Sequence, residues 1–380
     1  MTSPAPAPVR VAVIGAGFIA RWFMEAAALT PGVQVVAVVS ARPAHAAAFA
    51  AEHGIGASYA TVPQLLAACG PTGPTPADLV YVGSPNVLHA DQAVAALEAG
   101  FHVLVEKPFA LRPDQARAMV AAARAADRFL MEGWVPAFEP GVAALREVLA
   151  SGELGRVHRA LLVKEQFSSR MEAYRGGALP AALDPAAGGG SLMDLGVYPV
   201  GLAVHLFGSP TRVTASAQLL DSGADSHGTV VLDYDDGAWA GLQVTCLHSK
   251  TSPAVVPSVL TGDATALIVD DCQWPRRLTT LSPARAVPAP PADPGTGVAS
   301  TGAGDVTRAG TRVRQVERRG PVLAYELAEV VRALGAGERE SALRPLADSV
   351  RTVEILTEAR RQCGIVLTGD RGTPSPSPDH

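Results

Sequence analysis

The sequence predicts an α/β protein in two parts: an N-terminal doubly wound parallel sheet, then a C-terminal α+β unit with an open, mostly antiparallel sheet. Three observations predict it. A glycine-rich turn joins a β-branched run to a helical run near the N-terminus. Strand and helix patterns alternate up to Trp134, as in a parallel sheet covered on both faces. Beyond Trp134 strand patterns follow one another in series, which implies a largely antiparallel sheet. The chain has 380 residues, too many for one ordinary core, so two domains are expected. The division falls at 1–134 and 135–366, with a disordered lead-in over 1–8 and a disordered tail over 367–380.

Val9–Ile14 (VRVAVI) is short and apolar and reads as a buried strand. It runs into Gly15-Ala16-Gly17-Phe18-Ile19-Ala20, a G-x-G-x-x-A turn opening a helix over Ile19–Leu29. The first glycine permits the tight turn, the second admits a pyrophosphate, and the small third residue lets helix and strand pack closely. With a second strand at Val33–Val39, this is the pattern of a Rossmann dinucleotide-binding domain. At the end of that strand an acid would bond the ribose 2′-hydroxyl. The chain has Ser40-Ala41-Arg42 instead, and Arg42 offers a planar fork to a 2′-phosphate. NADP(H) is therefore favoured over NAD(H), with a solvated arginine at a helix start as the other reading.

Helices follow at Pro43–His53 and Val62–Cys69, then a strand at Asp78–Val82. Gly83-Ser84-Pro85-Asn86 closes that strand, and Asn86 is placed to cap a helix over Val87–Ala99. His89 has two readings, a contact to the nicotinamide ribose and a structural histidine. The next strand, in HVLVEKPF (102–109), ends on Glu106-Lys107-Pro108. Carboxyl ends of parallel strands line the ligand crevice, so Lys107 can reach a bound cofactor; a surface Glu-Lys pair is the plainer reading. A helix over Pro113–Ala126 and a strand over Phe129–Trp134 complete the first part.

In the second part, helix Gly141–Ala150 precedes strand-like runs at Val157–Phe167, Arg212–Leu220, Thr229–Tyr234, Trp239–Leu247, Val255–Leu260 and Ala264–Asp270. Asp235-Asp236-Gly237 is a hairpin signal. Ser282–Gly310, rich in Pro, Gly, Ala, Ser and Thr, reads as a mobile loop, and helices Leu323–Leu334 and Pro345–Cys363 close the chain. Between the runs Val157–Phe167 and Arg212–Leu220 lies GGGSLMDLGVYP (188–199). Three glycines let backbone lie close to a ligand. Ser191 starts a helix that puts Asp194 and Tyr198 at i and i+4 on one face. Such a phenol can exchange the proton in a carbonyl–alcohol interchange, and a nearby lysine would lower its pKa toward neutrality. Asp194 as a cap and Tyr198 as core filling are the alternatives.

Composition narrows the classes. Apolar residues are 48%, charged residues 18% and the formal net charge is −5, which suits a compact soluble protein. Lys and Arg are scattered, so no nucleic-acid surface is expected. MTSPAPAPVR is not expected to be a secretion signal, and no apolar stretch is expected to be long and uncharged enough to span a membrane. Cys69, Cys246, Cys272 and Cys363 lack metal-ligand spacing; no metal site is expected, and reduced thiols point to the cytoplasm.

Taken in order, Gly15-Ala16-Gly17, Ser84-Pro85-Asn86 with His89, Glu106-Lys107-Pro108 and GGGSLMDLGVYP resemble the glucose–fructose oxidoreductase/inositol dehydrogenase (Gfo/Idh/MocA) family, from about Val9 to Val366. Tyr198, where inositol dehydrogenases carry histidine, resembles the branch of dimeric dihydrodiol dehydrogenases and NADP-dependent D-xylose dehydrogenases, as does the stretch 323–363. The resemblance implies an oxidoreductase acting on a sugar, cyclic polyol or related small carbonyl or alcohol. It implies a nicotinamide cofactor in the cleft and catalytic roles for Lys107 and Tyr198 with Asp194 in support. Substrate contacts are expected from these three with Trp134 and Arg175, a solvated loop arginine being the other reading of Arg175. Cofactor contacts are expected from Gly15, Gly17, Phe18, Ile19, Ser40, Arg42, Ser84, Pro85, Asn86, His89, Glu106 and Lys107. The resemblance further implies a cis Lys107–Pro108 bond and a homodimer or higher homo-oligomer through the C-terminal sheet. Two other readings are a non-catalytic nucleotide-binding sensor and an NAD-dependent dehydrogenase of the inositol type. The chain departs from many relatives at Val135-Pro136-Ala137-Phe138 and in the length of Ser282–Gly310.

Overall fold

The structure, a computed structural model, describes residues 7–282, 310–367, 369 and 370. The expected lead-in, tail and Ser282–Gly310 loop lie largely outside them. The first part alternates β1 (Val9–Ile14), α1 (Phe18–Leu29), β2 (Val33–Val39), α2 (Pro43–His53), β3 (Ala57–Tyr59), α3 (Val62–Cys69), β4 (Leu79–Val82), α4 (His89–Glu98), β5 (His102–Glu106), α5 (Pro113–Ala126) and β6 (Leu130–Gly133). Its six strands are parallel in the order β3-β2-β1-β4-β5-β6, which brings the crevice between β1 and β4. Both faces of the sheet are buried. In β1, Val11 and Val13 join one apolar cluster while Ala12 and Ile14 join the other. Alternating residues of a strand point to opposite faces, so a strand covered on both sides must be apolar throughout.

The second part holds α6 (Pro140–Ala150), β7 (Val157–Glu165), α7 (Met171–Arg175), α8 (Val197–Phe207), β8 (Arg212–Leu219), β9 (Asp225–Tyr234), β10 (Leu242–Ser249), β11 (Ser258–Gly262), β12 (Ala266–Val269), β13 (Arg277–Leu281), β14 (Thr311–Gln315), α9 (Leu323–Gly335) and α10 (Leu346–Cys363). One eight-stranded sheet runs β14-β13-β12-β11-β7-β10-β9-β8, antiparallel except for the β7–β10 pair. Helices α8 and α10 pack against it, and α10 also packs on α5 while α9 packs on α1. The end of the chain thus ties the two sheets together.

One expectation fails here in an instructive way. The run Pro185–Phe207 is long and apolar enough, by length and composition alone, to cross a membrane, but 83% of its most apolar window is buried inside the fold. It is apolar because α8 packs against β7, β10 and α10, with Val197 through Val204 all buried. The sequence pattern also does not reveal β3, β13 or β14.

Candidate functional site

The site grows from the end of β1. Gly15 has φ +109°, and a Cβ there would lie 2.5 Å from the Gly83 carbonyl oxygen, so only glycine fits the turn. At Gly17 a Cβ would meet nothing within 4 Å. The open space lies at the N-terminus of α1, where no side chain caps the helix. Free N–H groups and open space are what a pyrophosphate needs. A cleft of about 760 Å³ extends from this turn and is lined by Gly15, Gly17, Phe18, Ile19, Ser40, Arg42, Ser84 and Pro85 among others, with no carboxylate in its wall.

A second cleft, about 570 Å³, shares Phe18, Ile19 and Ser84 with the first and so continues it. Asn86, His89, Glu106, Lys107, Asp194 and Tyr198 line it. Lys107 ends β5, and its peptide bond to Pro108 is cis, as expected. Behind it Glu132 accepts from the Phe109 N–H at 3.1 Å and from Arg344 and Ser349, which fixes the turn. The Lys107 ammonium donates to Asp194 Oδ1 at 2.8 Å and to its carbonyl at 3.2 Å, and stands 5.0 Å from the Tyr198 ring centroid. An ammonium from the first part therefore meets a carboxylate and a phenol from the second.

Electrostatics set the protonation of this trio. Burial works against the Lys107 charge, but Asp194, Tyr198 and Glu106 outweigh it and raise its pKa. Burial likewise opposes ionisation of Asp194, yet Lys107 and Lys250 hold it well below the usual carboxylate range. Tyr198 departs from expectation. Burial pushes its phenol up to about 12, the pull of Lys107 being too weak to reverse this, with Asp194 and Glu106 adding to the rise. Lysine proximity alone does not bring it toward neutrality. Glu106, whose pKa burial raises, accepts a 2.8 Å bond from the Tyr81 hydroxyl and one from the Lys107 N–H.

Several predicted residues sit otherwise than expected. Trp134 makes no approach to the cleft: it is fully buried, donates to the Val197 carbonyl at 3.3 Å and lies under Arg344. Arg175 is exposed and stacks 5.7 Å from the Phe167 centroid, outside the cleft wall, whereas Arg170 lines it. Asn86 does not cap α4. It opens a short 3-10 turn, and its amide donates to the Gly188 carbonyl at 3.1 Å. His89 is 1% exposed with both ring nitrogens within 3.0 Å of carbonyl oxygens, those of Pro108 and Ser84, so its ring is engaged in structure. The glycines 188–190 accommodate protein, not ligand. A Cβ would strike Leu111 at Gly188, the Ala181 carbonyl at Gly189 and Asp225 at Gly190. Asp194 is no cap either; the Leu192 N–H is taken by Asp225 at 2.7 Å. A π-helical turn over Leu192–Gly196 precedes α8, and both Asp194 and Tyr198 still line the cleft.

The pattern reading does not contain Lys250, Gln166, Arg170, Gln273, Trp22 or Trp274, which also line this cleft. Lys250 left one signal. It continues the alternation of Leu242, Val244, Cys246 and His248, all buried, so register alone points it inward.

Comparison with known proteins agrees with this architecture. Residues 9–134 match the family described as "Oxidoreductase family, NAD-binding Rossmann fold", and residues 142–258 match the "GFO/IDH/MocA C-terminal domain". Over 366 residues the chain is 33% identical to scyllo-inositol 2-dehydrogenase (NADP(+)) IolU of Bacillus subtilis, covering 96% of this chain and 99% of that one. It is 30% identical to trans-1,2-dihydrobenzene-1,2-diol dehydrogenase of Bos taurus, over 96% and 99%. Among solved structures, KijD10, a 3-ketoreductase from Actinomadura kijaniata in complex with NADP and TDP-benzene, superposes with TM-score 0.74 at 23% identity, over 94% of this chain and 98% of that one.

Proposed function

The chain belongs to the Gfo/Idh/MocA oxidoreductase family, and from that premise we propose an NADP(H)-dependent dehydrogenase or reductase of a sugar, cyclic polyol or related small carbonyl or alcohol. One observation carries the reading: Lys107, Asp194 and Tyr198 converge in a cleft continuous with the glycine turn. The turn at Gly15, the uncapped N-terminus of α1 and the open space over Gly17 fit a dinucleotide. Ser40 and Arg42, in a wall without carboxylates, fit the 2′-phosphate. When bound there, NADP(H) supplies two-electron exchange at nicotinamide C4.

The side chains supply the proton. Tyr198 keeps its proton at neutral pH, the form that donates to a carbonyl oxygen as it becomes a hydroxyl. The Lys107 ammonium stabilises the phenolate left behind, and Asp194 holds that ammonium in place. In the reverse direction Tyr198 takes the hydroxyl proton back. Cyclic vicinal diols suit this reading, because the two full-length relatives named above carry such substrates in their names. We further place residues 1–134 as the cofactor part and 135–366 as the substrate part of a cytoplasmic homodimer. Four free cysteines support the compartment.

The test is an absorbance screen of sugars and polyols with NADP⁺ and NAD⁺, followed by Lys107→Met and Tyr198→Phe on the best substrate. Each is expected to lower turnover about 10²–10⁴-fold while cofactor still binds. Wild-type rates in either variant would remove that residue from the mechanism.

A further inference from the structure

We propose that Lys250 is a positioning residue of this site: it grips Asp194 from a second side and offsets its charge, so that Lys107 is not neutralised by its own carboxylate. This rests on the reading of the cleft as the nicotinamide end of a dinucleotide site. Lys250 is built in firmly. Its N–H donates to the Ser226 carbonyl at 2.8 Å, and its carbonyl accepts from the Ser168 N–H at 2.8 Å. Its side chain, only 4% exposed, runs to Asp194 Oδ2, while Lys107 holds Oδ1. A carboxylate bound at both oxygens by ammonium groups just beyond the ends of two different strands, β5 and β10, has little freedom to rotate. Lys107 is thereby fixed relative to Tyr198.

The charges nearby make this cation count. Lys107 and Asp194 alone form a neutral pair, and the pair Lys164–Asp271, at 3.1 Å, is likewise closed. The Glu106 carboxylate, its pKa raised by burial, is engaged by the Tyr81 hydroxyl at 2.8 Å and by the Lys107 N–H. Asp225 faces Lys250 from β9, and burial raises it to about 6; beside it His248 is lowered by burial to about 3 and is neutral. Asp225 is therefore ionised at neutral pH and partly offsets Lys250, which remains the second cation in direct contact with the one carboxylate that Lys107 uses. Its charge should act on whatever lies in the cleft.

An oxidised nicotinamide ring is a cation and a reduced one is not. A cation in the wall therefore weakens binding of the oxidised cofactor relative to the reduced one. The experiment measures dissociation constants of NADP⁺ and NADPH by fluorescence titration, with no substrate present, for the intact enzyme and for Lys250→Met, Lys250→Gln and Lys250→Arg. In Lys250→Met and Lys250→Gln the ratio Kd(NADP⁺)/Kd(NADPH) should fall about threefold to thirtyfold, as expected for one charge removed from a partly screened cleft. Lys250→Arg should keep the wild-type ratio. Loss of packing alone would weaken both cofactor forms together and leave the ratio in place. A ratio that changes less than about twofold in both neutral variants, or an Arg variant that follows them, overturns the proposal. The readout needs no turnover, so an enzyme inactive on every sugar and polyol would defeat the proposed function without touching this result.

Discussion

Arg42→Ala isolates the part of the site that would choose between the two nicotinamide cofactors. Arg42 immediately precedes α2, is exposed, and lines the cleft end where no carboxylate competes for it. Two unit charges about 4 Å apart attract by about 1 kcal/mol in bulk water and about 4 kcal/mol near a protein surface. The exposure of Arg42 places it toward the lower figure, so about 1–2 kcal/mol is expected, a loss of about 5–30-fold in NADPH affinity. NADH lacks the 2′-phosphate and serves as the internal control; its affinity should stay within about twofold. Titration by nicotinamide fluorescence measures both. Added salt should weaken NADPH binding to the intact protein more than to the variant, because an exposed ion pair is screened. The reasoning is refuted if Arg42→Ala weakens NADPH and NADH by the same factor, or if the intact protein binds NADH more tightly than NADPH.

Two further perturbations test the scaffold that holds the site. Glu132 and Arg344 form an ion pair at 2.9 Å with side chains 1% and 0% exposed, so Glu132→Gln leaves a buried guanidinium uncompensated and should cost about 3–5 kcal/mol in urea unfolding. Adding Arg344→Met should recover much of that loss; additive losses would show that the two do not act as a pair. Glu139, 1% exposed, has its pKa raised by burial from an ordinary 4.5 to about 7, its nearest cation Arg318 standing 3.8 Å away. Between these values the folded chain holds a proton that the unfolded chain has released, so stability falls as pH rises through the window and stays lower above it. Glu139→Gln should therefore stabilise by about 3 kcal/mol at pH 8 and by little at pH 4, read from urea midpoints. Equal effects at both pH values would refute that assignment.

The parallel half was legible because its signals are local. β1, α1, β2 and α2 each carry their own periodicity, and Gly15 announces the turn between them. β3 was not legible, since Ala57–Tyr59 is too short to show a period. β14 (TRVRQ) is polar apart from Val313 and exposed along its length; only its pairing with β13 makes it a strand. By composition the apolar run ending at Phe207 fits a membrane span as well as a buried core helix; only its burial in the fold separates the two, because composition reports how apolar a segment is and not what covers it.

The same division runs through the site. Lys107, Asp194 and Tyr198 could be named because each sits in a compact motif, but which of their neighbours matter depends on chain far away. Trp134, at the end of a crevice strand, seemed aimed at substrate; Arg344, more than two hundred positions on, stacks over its ring and turns it into core. The protonation of Tyr198 shows the limit most directly. A reader of the sequence can see that a lysine and a phenol might meet and infers a lowered pKa from the charge. Desolvation leaves no mark in a motif, because it is the summed effect of everything packed around the ring, and here it exceeds the pull of the lysine. Under the proposed function the consequence is chemical: Tyr198, protonated at neutral pH beside the Lys107 ammonium, would reach its deprotonated form by handing the proton to a substrate oxygen and not by prior loss to solvent.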